Sequence, residues 1–271
     1  MEKKKEKLDT ILKELKSFVV AFSGGVDSSF LLYRAHSLRK INMIGVTIRT
    51  PYIPRFEIEE SVEFAKTYGI NHKIIDLSFP ESIRNNPVDR CYICKKTLFS
   101  ELLSFAAENG YRYIIEGTNA DDVSDYRPGL KAIRELNVRS PLLEAGLTKK
   151  EIRGILREEG LSIWDKPAMA CLLTRIPYNT EVDEGMLKMV EKAEDFLMEK
   201  GYPGVRVRLH GDLARIECLP GYFDKIVQSP DKELIINNLK KIGFRYVSLD
   251  LEGYRSGSSN PEINRYDQKR D

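Results

Sequence analysis

Apolar positions along the chain follow two rhythms. Short β-branched runs, Phe18 to Phe22, Met43 to Ile48, His72 to Asp76 and Tyr113 to Glu116, predict strands buried in a sheet. Between them, apolar residues three and four apart predict helices over Ser28 to Arg39, Glu57 to Tyr68 and Lys95 to about Asn109. Leu8, Ile11, Leu12 and Leu15 give the N-terminus the same helical period. Phe79 to Arg90 reads as loop, and Thr148-Lys149-Lys150-Glu151 as a capping box opening a helix towards Gly160. Strands alternating with helices predict right-handed crossovers and a parallel sheet covered on both faces. Past Pro177 the pattern changes. A long amphipathic helix, Val182 to Lys200, precedes alternating strands over Val205 to Leu209 and Ala214 to Leu219, a helix at Lys232 to Ile242, and a strand at Tyr246 to Leu249. The expected organisation is an α/β domain over 1–177, a small α+β domain over 178–254 for substrate binding or oligomerisation, and a loose polar tail over 255–271.

Composition narrows the class. With 42% apolar and 31% charged residues, the chain suits a soluble globular protein. No apolar run approaches a membrane span, and the charged N-terminus lacks a signal peptide's apolar core, so a cytoplasmic protein is expected. Its net charge of +2 gives no electrostatic reason to expect a nucleic-acid partner. In that compartment the four cysteines point to metal or catalytic use before disulfides.

The first strand breaks at Ser23-Gly24-Gly25, and a helix restarts through Val26-Asp27-Ser28-Ser29. Glycines let the backbone turn close to a ligand, while serine hydroxyls and the N–H groups of a helix start favour an anion. Neither GxxxxGK[ST] nor GxGxxG is present. Instead the stretch resembles the PP-loop of ATP pyrophosphatases, the adenine nucleotide α-hydrolase-like fold. That resemblance implies bound ATP, its β,γ-pyrophosphate cradled while a nucleophile attacks the α-phosphorus. Gly117, Thr118 and Asn119, followed by Asp121 and Asp122, close the fourth predicted strand and would face the same cleft. Mg²⁺ would be held at Asp27, with the aspartate pair either nearby or merely capping a solvated turn.

Cys91-x-x-Cys94 on its own is half a zinc site, a redox pair or two coincidental thiols. Cys171 is either a third ligand or a small buried residue; Cys218, beside Ile216 and Leu219, is assigned to packing. Three soft ligands fit a [4Fe-4S] cluster with one iron open to hydrosulfide, a ready sulfur source. In the competing reading Cys171 acts alone, giving its own sulfur or a persulfide.

Six blocks then carry a more specific resemblance, over nearly the whole chain: Arg90 to Lys96, Glu116 to Asp122, Asp125 to Leu130, Arg139 to Leu142, Trp164 to Pro167, and Arg206 to Arg208 with Asp212 to Glu217. They look like the LarE family. The resemblance implies an ATP-dependent sulfur transferase that adenylylates pyridinium-3,5-dicarboxylate mononucleotide and installs sulfur as a thiocarboxylate. It also implies sulfide or another sulfur donor as partner and a homo-oligomer. Some members sacrifice one cysteine sulfur, at the position of Cys171. The additional Cys91-x-x-Cys94 assigns this chain to the branch in which three thiolates, Cys91, Cys94 and Cys171, resemble a cluster-binding set, with sacrificial transfer from Cys171 as the alternative. Arg127 falls in one of these blocks and is expected at the nucleotide. Arg206 and Arg208 share a strand face, as do Arg215 and Glu217, which by itself describes a surface ladder of opposite charges. With the resemblance, Arg175, Arg206, Arg208 and Arg215 are expected to grip the substrate phosphate. Trp164, the single tryptophan, is expected to stack on a flat ring or to pack. A tRNA thiolation enzyme shares the loop but calls for a more basic surface.

Overall fold

The computed structural model describes residues 1–123, 128–167, 170–228 and 232–255. Arg127 and most of the predicted tail lie outside them. The chain folds as two compact units: one of residues 1–83 and 88–169, the other of 84–87 and the chain from Ala170 on.

In the first unit, helix α1 (Glu2–Leu15) leads into β1 (Ser17–Ala21), followed by α2 (Val26–Ser37), β2 (Asn42–Arg49), α3 (Arg55–Thr67), β3 (His72–Asp76), α4 (Arg90–Glu108) and β4 (Tyr113–Ile115). Three shorter helices complete it: α5 (Gly129–Glu135), α6 (Pro141–Ala145) and α7 (Lys149–Glu158). The four strands are parallel in the order β3-β2-β1-β4. Alternation along β1 explains the two layers. Phe18 and Val20 join α1, α2 and α7 in one core with Leu8, Phe30, Leu31 and Ile155, while Val19 faces the other with Phe99, Leu102 and Ile133 of α4 and α5. Because β1 is joined to β2 on one side and β4 on the other, strand order reverses beyond the carboxyl ends of β1 and β4, where an open α/β sheet receives its ligand.

Two helix starts differ from the sequence expectation. α2 begins at Val26, two residues early, because Gly25 is extended and its carbonyl already accepts the Ser29 N–H at 2.9 Å. α4 begins at Arg90, so Cys91 and Cys94 stand one turn apart at its start rather than ahead of a helix at Lys95; the Asp89 carbonyl accepts the N–H groups of Tyr92 and Ile93. The predicted capping box is present: Thr148 Oγ1 accepts the Glu151 N–H, and Glu151 Oε2 accepts the Thr148 N–H.

In the second unit α8 (Glu184–Glu199) precedes β5 (Arg206–His210) and β6 (Leu213–Glu217), an antiparallel hairpin, then α9 (Phe223–Gln228), α10 (Lys232–Ile242) and β7 (Tyr246–Leu249), parallel to β6. Residues 84–87 belong here because the buried Asn86 amide donates to the carbonyls of Leu173, Ile176 and Pro177 at 2.9–3.2 Å. Among the described residues no helix is long and apolar enough to cross a membrane.

Candidate active site

Between β1 and α2 the chain makes a tight turn. Ser23 and Ser28 hydroxyls lie 3.0 Å apart, and Ser28 Oγ also accepts the Ser23 N–H at 3.3 Å and donates to the Gly25 carbonyl at 3.1 Å. Gly24 is left-handed, φ +72°, and a Cβ there would meet the Glu57 carbonyl at 3.1 Å. The N–H groups of Val26, Asp27 and Ser28 precede the first intrahelical bond and so have no acceptor within α2. Ser29 adds a fully buried hydroxyl without a protein partner. Donors of this kind at the positive end of a twelve-residue helix suit a phosphate chain.

The end of β4 closes the other side. Gly117 passes so near α2 that a Cβ on it would lie 2.9 Å from the Ser28 backbone nitrogen. Gly117→Ala is therefore expected to push the two walls apart and lose nucleotide binding in calorimetry, while leaving the sheet intact by circular dichroism. Thr118, expected at the nucleotide, directs its N–H and hydroxyl to the buried Glu116 carboxylate at 3.0 and 2.8 Å. Asn119 reaches across to Asp27, its Nδ2 donating to Oδ2 at 3.3 Å. Asp122 accepts the Asn119 N–H and Asp121 the Lys149 N–H, so both carboxylates shape turns.

Asp27 is the centre of this cleft. Lys149 Nζ holds its Oδ2 at 2.5 Å, while Oδ1 is buried with no hydrogen-bond partner. Burial raises the carboxyl above the ordinary carboxylate range, with Asp122 adding to the rise; Lys149 and Asn119 oppose it. An ionised carboxylate with one orphaned oxygen, beside a phosphate site, has the donor chemistry Mg²⁺ takes. In the sequence Lys149 reads only as part of a capping box. A signal was present: a lysine in the first turn of a helix opposes the helix dipole, and a broken local rule marks function. Because Lys149 holds the Asp27 pKa down, Lys149→Met should raise it further. The acid limb of pyrophosphate release then moves to higher pH, as a pH–rate profile would show. A cavity of about 800 Å³ beside Tyr33, His36 and Tyr68 opens at the amino ends of β2 and β3, away from this chemistry.

All four cysteines are reduced. At the start of α4, Cys91 is exposed and Cys94 lies 3.3 Å from the hydroxyl of the buried Tyr52; i,i+3 spacing puts both thiols on one face. Among the described residues no three His, Cys, Asp or Glu side chains gather as a metal site. Trp164 packs against the first core with the Arg157 guanidinium 5.2 Å from its ring centroid.

In the second unit Cys171 stands at the start of a short 3₁₀ turn, residues 172–175. Arg175, 1% exposed, forks onto Glu194 with two 2.9 Å bonds, and its Nη1 donates to the carbonyls of Ala170 and Cys171 at 2.7 and 3.2 Å. Its guanidinium thus fixes the cysteine's backbone. Arg208 is likewise buried, forked onto Glu217 at 3.0 and 2.7 Å and donating to the Thr174 carbonyl at 2.5 Å. Arg206 is buried over the Tyr254 ring, and Arg215 donates to Glu217 at 3.0 Å. Burial, then repulsion from Arg175, holds the Arg206 guanidinium below its ordinary value. Arg175, Arg206 and Arg208 form no surface ladder: all three are buried, Arg175 forked onto Glu194 and Arg208 onto Glu217.

A parallel sheet whose first strand ends in this serine–glycine turn, facing Gly117 and Asn119, defines a PP-loop enzyme, a class that uses ATP. A family model described as queuosine biosynthesis protein QueC matches residues 17–132. A Lactiplantibacillus plantarum protein named pyridinium-3,5-bisthiocarboxylic acid mononucleotide synthase is 36% identical over 96% of this chain and 95% of its own. An uncharacterized Synechocystis protein is 39% identical over 96% of this chain and 98% of its own. A tRNA-specific 2-thiouridylase from Rickettsia africae is 28% identical, over 56% of this chain and 52% of its own. The chain belongs to the LarE family.

Proposed function

We propose that this enzyme adenylylates a carboxylate of pyridinium-3,5-dicarboxylate mononucleotide with ATP and replaces the AMP by sulfur, giving a thiocarboxylate. The observation that carries this reading is a PP-loop, and a cysteine whose carbonyl is held by the buried Arg175, in a chain similar along its length to the Lactiplantibacillus synthase. The loop N–H groups and serine hydroxyls would receive the β,γ-phosphates. The substrate carboxylate oxygen attacks the α-phosphorus; a C–O–P anhydride forms and the bond to pyrophosphate breaks. Asp27 would hold Mg²⁺, which supplies charge neutralisation at the phosphates. Lys149 can turn from Asp27 to the departing pyrophosphate.

Sulfur then attacks the acyl carbon and AMP leaves. The likeness along the chain's length to the Lactiplantibacillus synthase supports Arg206 and Arg208, with Arg215 at their edge, as the guanidinium groups that bind the mononucleotide phosphate. The donor chemistry of three thiols, Cys91, Cys94 and Cys171, suits a [4Fe-4S] cluster, which when bound would supply an iron open to hydrosulfide. Oxygen-free enzyme, reconstituted with iron and sulfide, tests both halves. More than one thiocarboxylate per chain, falling to no more than one in Cys91→Ala or Cys94→Ala, supports the cluster. Full turnover in both variants removes it, and a wild type limited to a single turnover assigns the sulfur to Cys171 itself.

A further inference from the structure

The nucleotide loop is tied to α7 at both of its ends. Lys149, at the first position of α7, holds Asp27 directly. One turn on and on the same face, Arg153 donates from Nη1 to the Trp164 carbonyl and from Nη2 to the Lys166 carbonyl at 2.7 Å. The Lys166 ammonium in turn donates to the Gly24 carbonyl at 2.8 Å and to Glu60 Oε2 of α3 at 2.5 Å. The Lys166 side chain is 14% exposed and that of Glu60 54%, so this is no ordinary surface pair: the charge is sheltered against the loop's own main chain. Gly24 already sits hard against α3, so a change in its carbonyl's orientation is felt at Lys166. A phosphate bound at the head of α2 would compete with Asp27 for Lys149 and load the other end of the same ring.

We propose that Lys166 is a positioning residue that transmits occupancy of the nucleotide loop to segment 162–167. The inference rests on reading the loop as the ATP site. Its physical content is a closed ring of contacts, Asp27–Lys149–α7–Arg153–Lys166–Gly24, to which Arg153 also ties the short 3₁₀ turn at Ser162–Asp165 through the Trp164 carbonyl.

Trp164, the single tryptophan, lies inside that turn and reports on it. Mg²⁺ with a non-hydrolysable ATP analogue is titrated into the full chain, following binding by calorimetry and Trp164 by emission. Wild type should show a saturable emission change. Lys166→Met should bind the analogue within about tenfold of wild type yet lose the emission change, and Lys166→Arg should restore it. Arg153→Met opens the ring without touching the loop and should lose the signal too, so it decides the matter if Lys166→Met fails to fold. An undiminished signal in the variants, or a wild type that binds without any emission change, overturns the proposal. A wild type that does not bind at all overturns instead the nucleotide reading, and the proposal falls with it.

Discussion

Asp27→Asn slows pyrophosphate release by about 10²–10³-fold without lowering the melting temperature. The loss follows from removing the charge that would hold Mg²⁺ at the phosphates, a preorganised interaction of the size usually found for one such group. The unchanged stability follows from the direction of the Asp27 shift. Its folded pKa lies above the unfolded value, mainly through burial, so folding favours the protonated form. That contribution is complete below the ordinary carboxylate pKa and is lost as pH rises through the raised folded value. At neutral pH the ionised side chain is therefore no net support to the fold, and a neutral amide of the same shape leaves the turn in place. Lys149, with its side chain 33% exposed, stays hydrated when its partner loses charge. A coupled pyrophosphate assay and a thermal melt on one preparation check both halves. Normal turnover, or a melting point several degrees lower, would show that Asp27 is a structural residue.

Cys171→Ala abolishes thiocarboxylate formation while ATP-dependent pyrophosphate release continues. The substitution is clean because what fixes this stretch is the carbonyl of residue 171, which accepts from the Arg175 guanidinium, the Thr174 N–H and the Thr174 hydroxyl, and alanine retains that carbonyl. Only the sulfur goes. On the proposed route adenylylation would use the loop, Asp27 and Lys149, none of which involves the thiol. The acyl-adenylate should then be hydrolysed by water, giving AMP without product, which mass spectrometry of the pyridinium compound detects. Thiocarboxylate formed at the wild-type rate would remove Cys171 from the sulfur route.

Much of the fold was legible along the chain because its signals are local. A buried parallel strand must be apolar on both faces, and β1 shows this over consecutive residues. The turn after it advertises itself through glycines and serines, and the Thr148–Glu151 capping box sits four residues wide in plain view. The contacts that make the loop a site were not visible. Lys149 meets Asp27 across 122 positions and Lys166 meets Gly24 across 142. Nothing in a local pattern links such residues; proximity comes only when the crossovers bring α7 and segment 162–167 beside the end of β1.

The same division separates what the sequence alone determined from what the tertiary structure decided. Periodicity and turn chemistry determined the α/β class and the strand that ends in the phosphate loop, since each depends on residues a few positions apart. Which charges are buried, and with whom, was decided by packing. Arg206 and Arg208 look in the sequence like one side of a solvated ladder, and Thr118 like a nucleotide contact. Closure of the second unit buries the arginines around Glu194 and Glu217, and Glu116 claims the threonine. A side chain's residue type states what it can bind, but its burial and partners, set by elements distant in the chain, decide what it does bind.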